Sequence, residues 1–253
     1  MIQRKKYKIW ITIWSLLIIM ASLYWFYAIN QNKNNRNHGY SIKIKEEKIG
    51  NFITKDIVEK VLNPFIDSAS KNKKPFNIHN IETAINKIPQ VENAKIYVGI
   101  NGKLNVEIQE RRALCRVINK HGVSFYLDEK AVKFPLSNIF TTRVPIIIGN
   151  IESPMSESHI DSALLQSVVN VLNITKKMKF WNTCIDQIYV NENKELEVVS
   201  NIGQQRIVIG NDKDVESKLN NVFAFYKQGL NNLGWDKYKK IDVRFNKQII
   251  CSK

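Results

Sequence analysis

The residue types that most often carry chemistry are sparse in this sequence. His79 forms an H-x-x-E pattern with Glu82 in a predicted helix, and the full set of histidines is His38, His79, His121 and His159. A zinc hydrolase would need a second ligand at helical spacing, and none follows, so a capping or surface role is the better interpretation. Asp128 and Glu129 could pair as general acid and base, but their place in a tight turn favours two solvated carboxylates.

The sequence also gives little support for nucleophilic or redox chemistry. The sequence contains neither the G-x-S-x-G elbow of hydrolases nor a phosphate-binding G-x-x-x-x-G-K-[ST] loop. Cys115, Cys184 and Cys251 are odd in number and far apart, which favours buried thiols over a disulfide framework or a metal knuckle. We therefore predict that the protein is not an enzyme and has no catalytic residue, bound metal or cofactor.

The positive charge of the chain is large but widely spread. The formal net charge is +15, and the first 36 residues contain six basic groups and no acidic one. The remainder has no long basic run of the kind that binds nucleic acid, so no nucleic-acid partner is predicted. Two interpretations of the excess remain: a surface that faces a membrane, or a compositional bias without a partner.

The N-terminal region predicts a membrane anchor. Residues 9–29 contain no charged side chain, and their length matches what a helix needs to cross the hydrocarbon core. Aromatic residues crowd both ends, as is typical at the headgroup level: Trp10, Trp14, Tyr24, Trp25 and Tyr27. The run is too long for a signal peptide and ends in bulky side chains, so we predict a retained transmembrane helix.

Flanking charges predict the orientation of this helix. Only Lys33 and Arg36 follow it closely, whereas the short tail 1–8 contains Arg4, Lys5, Lys6 and Lys8. Under the positive-inside rule, the tail is cytoplasmic. We therefore predict a single-pass membrane protein with its N-terminus in the cytoplasm. For a bacterial chain, this is the cytoplasmic (inner) membrane, with the C-terminus in the periplasm or outside.

Residues 40–112, after a polar linker at 30–39, predict a small βααββ unit. A strand begins at Ser41, one helix begins after Thr54 and ends at Pro64, and a second helix covers 78–88. Two strands follow, joined by a turn at Asn101-Gly102. The same element order occurs in polypeptide-transport-associated (POTRA) domains, which are binding modules, so we expect a POTRA-like domain.

Residues 113–253 predict a mostly antiparallel β-domain with flanking helices, so the soluble part as a whole is α+β. Short strand-like segments follow one another from Leu114 to Ile209, and helices are predicted after the caps Ser158 and Asp212. Neighbouring strands of this kind favour a curved sheet with helices packed on one face.

The last segment, 241–251, alternates apolar and polar residues as one half-buried strand would. No proline interrupts it, and only Lys247 breaks its apolar parity, so it lacks the usual protection of a sheet edge. We predict that it is an open edge, with apolar surface on both faces at Ile249 and Ile250. A proline at Ile250 is then expected to remove a backbone donor that a partner strand needs.

Several short motifs, in this order, resemble the FtsQ/DivIB family of bitopic bacterial cell-division proteins. They are P-x-V-x-x-A from Pro89, L-x-V-x-I-x-E-R ending at Arg111, G-x-x-x-Y-L-D from Gly122, V-P-x-x-x-G from Val144, and Ile209-Gly210 before a helix with Lys218. The closing Ile-Asp-Val-Arg-Phe sequence adds to the likeness. The chain departs from the family at Ala113, where a proline is usual, and at Ile249-Ile250-Cys251, where small residues are common.

The resemblance implies a divisome scaffold that links membrane-anchored division proteins at the septum. It implies FtsB-like and FtsL-like bitopic partners, with other divisome membrane proteins expected at the POTRA-like domain. The implied partner site is the last strand: Arg244, Phe245, Lys247, Gln248, Ile249, Ile250 and Cys251. Two alternatives remain, a POTRA-type polypeptide-binding protein of envelope protein transport and an envelope hydrolase regulator that binds peptidoglycan.

Overall fold

The computed structural model of the protein describes residues 10, 13–27, 39–45, 52–72, 75–156, 161–245 and 248–253. Residues 13–27 form helix α1, whose large apolar side chains are all more than half exposed. Within the ranges given above, no helix combines the length and the apolar character that crossing a bilayer requires. The ends of the predicted 9–29 span and the basic tail fall outside the described residues.

The first folded unit is a three-stranded sheet covered by two helices. Its elements are β1 (Tyr40–Lys45), α2 (Lys55–Asn72), α3 (Ile78–Asn86), β2 (Val91–Val98) and β3 (Leu104–Glu110). The strand order is β1-β3-β2, with β1 parallel and β2 antiparallel to β3. Alternate residues of β3, Leu104, Val106 and Ile108, are fully buried and form one core with helix residues such as Ile81 and Ile85.

Helix α2 continues through Pro64, so the prediction that this proline ends the helix is wrong. Pro64 lies on the exposed side, where the missing backbone donor does the least damage. Leu62 before it and Ala69 after it are both buried, so packing holds the two halves of the helix in line. Residues 68–72, after the predicted end of the helix, form its last turns.

The second folded unit is built on a nine-stranded sheet. Its order is β12-β11-β10-β9-β8-β7-β4-β5-β6, with β4–β7, β7–β8 and β10–β11 parallel and the other pairs antiparallel. The mixed α+β class predicted from the sequence is confirmed. The strands are β4 (Cys115–Ile118), β5 (Ser124–Leu127), β6 (Lys133–Pro135), β7 (Ile146–Gly149), β8 (Ile185–Val190), β9 (Leu196–Ser200), β10 (Arg206–Gly210), β11 (Lys240–Asp242) and β12 (Ile250–Ser252).

The helices of this unit are α4 (Ser162–Lys177), α5 (Trp181–Cys184), α6 (Val215–Phe225), a π-helical turn (Tyr226–Leu230) and α7 (Asn231–Leu233). Asp161 and Asp214 hold the cap positions before α4 and α6. The prediction that Asp212 caps α6 is therefore wrong, and the predicted cap Ser158 lies outside the described residues. The Asp212 carboxylate instead accepts a hydrogen bond from Asn170 of α4 (2.8 Å), so tertiary contact overrides the local capping signal.

The predicted continuous strand 241–251 is wrong in its extent. The segment forms two short strands, β11 and β12, which pair antiparallel with Ile241 opposite Cys251. After Val243 the chain turns, and the Arg244 backbone N–H donates to the Asp242 carboxylate (3.1 Å). Residues directly opposite each other on paired strands project to the same face of the sheet. The apolar residues of β11 and β12 therefore keep the same alternation in the sequence, and the whole segment resembles one continuous strand.

Candidate functional site

The strongest candidate site is the edge of the large sheet at β12. This strand is terminal in the sheet order, and in the described part of the chain only β11 pairs with it. Ile250 is 47% exposed there, while Ile249 packs on the main core. Ile249 also lines a groove beside the edge, together with Ser217, Asn221, Ala224, Phe225, Gln228 and Gly229. The edge thus offers unpaired backbone next to a groove with both apolar and polar lining.

The direction of the backbone groups in β11 follows from its pairing with β10. Val243 N–H donates to the Val208 carbonyl (3.1 Å), and Arg206 N–H donates to the Lys239 carbonyl (2.8 Å). With the parallel register of the two strands, these bonds direct the odd-numbered residues of β11 towards β10. The even-numbered residues therefore face β12.

The same alternation determines which residue of β12 faces outward. Asp242 lies opposite Ile250, so the backbone N–H and C=O of Ile250 are directed inward, at β11. Cys251 is the next residue, and its N–H and C=O point away from β11 to the open edge. The donor at the edge is thus on Cys251, and the prediction that Ile250 supplies it is wrong.

Arg244 supports the turn between the two strands. Its guanidinium donates to both oxygens of Asp242 (2.7 to 3.2 Å) and to both of Glu195 (2.8 and 3.0 Å). Burial opposes ionisation of Asp242, but the bonds from Arg244 outweigh it and lower the pKa of this carboxyl. Bonds from Asn191 and Arg244 likewise lower the pKa of Glu195. The bonding capacity of Arg244 is largely used within the chain.

Gly210 and Lys218 hold the neighbouring end of β10. Gly210 has φ +79°, and a Cβ at this position would lie 3.0 Å from the Arg244 side chain. Lys218 Nζ donates to the Ile209 carbonyl (2.9 Å), and burial lowers the pKa of this ammonium group. The Ile209-Gly210 motif and Lys218 therefore meet the closing Ile-Asp-Val-Arg-Phe sequence in space.

The remaining predicted site residues differ in their positions. Phe245 is 49% exposed, and its ring centre lies 5.7 Å from the guanidinium carbon of Arg244. Gln248 is also exposed, whereas Lys247 falls outside the described residues. The groove residues Phe225 and Gly229 were not predicted, because the groove depends on the π-helical turn after α6, which the helical spacing of apolar residues did not indicate.

A second polar centre joins the first unit to the large sheet. Arg111, directly after β3, donates to Asp128 (2.5 Å) and to the carbonyls of Pro89 (3.0 Å) and Val91 (2.9 Å). Asp128 is only 5% exposed and also accepts the backbone N–H of Val132 (2.8 Å). The prediction of a solvated carboxylate at this position is therefore wrong, because Asp128 is buried in contact with Arg111.

The loop before α2 completes this junction. Glu110 accepts the backbone N–H groups of Ile53 (2.9 Å) and Phe52 (3.3 Å). Burial raises the pKa of Glu110, partly offset by these two bonds. The Phe52 ring contacts Tyr126, Phe134 and Phe140 edge-on, with centroids 5.2 to 5.6 Å apart. A side chain of the first unit is thus buried in an aromatic cluster of the second.

The other candidate residues form no reactive cluster in the described part of the chain. His79 and His121 are exposed, and no group of three or more histidine, cysteine or acidic side chains in those ranges could hold a metal ion. Cys115 and Cys184 are buried free thiols, and burial raises the pKa of each.

Comparison with known protein families identifies a match in the C-terminal part of the chain. The family model described as FtsQ/DivIB, C-terminal related, matches residues 112–252, which is more than half of the chain. No curated protein matches the sequence. The matched range contains the large sheet, the Asp128 side of the junction and the whole C-terminal edge.

Proposed function

The chain belongs to the FtsQ/DivIB family of non-enzymatic cell-division proteins, and from this membership we propose that it is a scaffold of the divisome. In this function it links other membrane-anchored division proteins at the septum by contacts of its two folded units. Residues 9–29 anchor it in the cytoplasmic membrane, with the tail 1–8 inside and residues 30–253 outside. The exposed apolar surface of α1 supports the anchor.

The proposed partner site is the β12 edge, where a strand of an FtsB-like protein extends the sheet. An FtsL-like protein would bind as part of the same complex. One observation carries this proposal: Cys251 presents its backbone groups at an unpaired edge beside the groove of Phe225 and Ile249. Backbone bonds would supply affinity, and alternate partner side chains would fill the groove and supply selectivity.

A proline substitution at Cys251 tests this site. Cys251→Pro removes the outward N–H while keeping the inward bonds of Ile250, and an extended conformation is the one that a residue before proline prefers. We expect Cys251→Pro to lose binding of the FtsB-like partner in co-purification and titration, and Cys251→Ala to bind as wild type. A folded Cys251→Pro protein with undiminished affinity would disprove strand addition at this edge.

The same substitution one residue earlier serves as a comparison. Ile250→Pro removes a donor that bonds to β11, so it should loosen the β11–β12 pair itself. We expect Ile250→Pro to lower the thermal stability of the edge as well as binding, whereas Cys251→Pro lowers binding without that loss. Thermal unfolding beside the binding titration separates the two effects.

The first unit is proposed to bind other divisome membrane proteins through β1, which is terminal in its sheet. Lys43 and Lys45 are exposed along this strand, and the helix α3 exposes a further face. Reversing both charges, Lys43→Glu with Lys45→Glu, should reduce septal recruitment in cells. Lys95→Glu, on the opposite edge strand β2, is the control. If wild type, the double variant and Lys95→Glu are recruited equally, there is no site on β1.

A further inference from the structure

Exposed apolar side chains collect at one end of the first unit. Tyr97 and Val98 are 41% and 43% exposed, and Ile100, in the turn that follows β2, is fully exposed. Among the described residues from Gly39 onward, nine large apolar side chains are exposed, and these three lie within four consecutive residues. Residues 97–103 are called the hairpin tip below. Clustered exposed apolar side chains of this kind are typical of surfaces that contact a membrane or another protein.

The hairpin tip is a closed and well-bonded turn. Gly99 N–H donates to the Lys103 carbonyl (2.9 Å), and Gly102 N–H donates to the Gly99 carbonyl (2.9 Å). The Asn101 side chain accepts the Lys103 N–H (3.1 Å), and Gly102 takes the positive φ that the turn requires. Ile100 is therefore held outward by the turn, so little further ordering is needed when it binds.

The sheet register places this tip beside the point where the chain enters the unit. Tyr40, the first residue of β1, lies opposite Leu104, and Leu104 N–H donates to the Gly39 carbonyl (3.0 Å). Because β1 and β3 are parallel, the entry point and the tip share one end of the sheet. Lys45 and Gln109 mark the other end, about 17 Å further along the strands.

The anchor and the tip are joined by a short stretch of chain. The described part of helix α1 extends to Tyr27, and eleven residues, 28–38, lie between it and Gly39 in the sequence. Such a length spans at most about 40 Å when fully extended. The end of the unit that carries the tip is thus the end tied to the anchor.

The composition of the tip suits the interfacial layer of a bilayer. Residues 97–103 contain one charged side chain, Lys103, and no acidic one. Polarity in this layer rises from the acyl chains to the headgroups, and the side chains of the tip match that rise. The tyrosine ring and the exposed aliphatic side chain suit the acyl-chain boundary, while the lysine ammonium group suits the lipid phosphates. Lys103 is exposed and lies beside Gly39, on the tethered side.

We propose that the hairpin tip docks on the outer leaflet of the membrane that holds the anchor, with Ile100 in the interfacial layer and Lys103 at anionic headgroups. This inference rests on the proposed anchoring of residues 9–29. Two attachment points, the tether and the tip, would keep the unit from rotating about its linker. Its far end, where Arg111 joins the large sheet, would then project the partner edge away from the membrane.

The test uses the full chain reconstituted in vesicles of phosphatidylcholine and phosphatidylglycerol. A fluorophore is attached to a single cysteine in a Cys251→Ser background, in which the remaining thiols are buried. The labelled variants are Ile100→Cys at the tip, Lys45→Cys at the far end of the same sheet, and Ser22→Cys in α1. Quenching by lipids with a nitroxide at the headgroup or in the acyl chain reports depth.

Docking predicts three different signals. The label at Ser22→Cys is quenched by acyl-chain nitroxides, the label at Ile100→Cys by headgroup nitroxides, and the label at Lys45→Cys by neither. Quenching at position 22 without quenching at position 100 overturns the docking inference and leaves the anchor standing. No quenching at position 22 overturns the anchor and the docking together.

A label-free measurement excludes the possibility that the fluorophore, and not the hairpin tip, inserts into the membrane. Hydrogen exchange of the peptide spanning 96–104 is compared between wild type and Ile100→Asp, both in vesicles and in detergent. We expect vesicles to slow exchange in wild type, and Ile100→Asp to abolish that slowing. Equal protection in the two proteins would overturn the inference, and vesicles of phosphatidylcholine alone test the contribution of Lys103.

Discussion

The junction between the two units and the C-terminal edge use the same residue types in opposite ways. Each contains an arginine, a paired aspartate and a phenylalanine close together in space. The Arg111 side chain is 13% exposed and Phe52 is enclosed by other rings, whereas the Arg244 side chain is 36% exposed and Phe245 is 49% exposed. Burial makes the first group a determinant of stability, whereas the second group leaves the Phe245 ring accessible.

The largest expected effect on stability is at Arg111. Arg111→Met leaves the buried Asp128 carboxylate without its cation, and breaking a buried pair in this way costs about 3 to 5 kcal/mol. Unfolding in denaturant should report this loss. The double variant Arg111→Met with Asp128→Leu is the control, because removing both charges should recover part of the stability. If the single variant is as stable as wild type, the junction does not hold the units together.

The junction also illustrates what the sequence could predict. Glu110, Arg111 and Asp128 belong to short motifs that resemble the family, but their pattern gave no hint that they meet, because 17 residues separate Arg111 from its partner. Apolar alternation located strand-forming segments in both units, although the last of them, 241–251, forms two short strands and not one. Asp128 was assigned to solvent because a turn is usually exposed, and only the packing of the first unit against it reverses that.

The edge was harder to predict for a related reason. Apolar alternation identified residues 241–251 as strand-forming, but it carries no information on the turn that Arg244 and Asp242 create. The outward direction of Cys251 follows from the hydrogen bonds of Val243 and Arg206 to neighbouring strands, which are long-range contacts. A local pattern predicts which residues are in strands, and the neighbours decide which backbone groups remain unpaired.

A smaller effect is expected from acid at the C-terminal edge. Arg244 lowers the pKa values of Asp242 and Glu195, so their stabilising contribution is present above the ordinary carboxyl pKa of about 4 and is lost as the pH falls further. Because the group is partly exposed, Arg244→Gln should cost only about 0.2 to 1 kcal/mol. Denaturant unfolding at pH 7 and pH 3 should show a larger difference at pH 7 than at pH 3. A difference of equal size at the two pH values would mean that packing over Gly210, rather than charge, accounts for it.

The smallest effect on stability is expected at Phe245, and it gives the sharpest contrast between the two regions. Phe245→Ala removes an exposed ring, so the free energy of unfolding should change by less than about 0.5 kcal/mol. The identical substitution at the junction, Phe52→Ala, empties the centre of an aromatic cluster and should cost about 3 to 5 kcal/mol. Affinity for the FtsB-like partner should change in the reverse order, with a loss of about tenfold or more for Phe245→Ala, as for an aromatic anchor of an interface. For Phe52→Ala, measured under conditions where it stays folded, affinity should be close to wild type. If Phe245→Ala binds normally, the partner contacts the edge through the backbone and the groove alone, and Phe245 serves only to shield the Asp242–Arg244 pair.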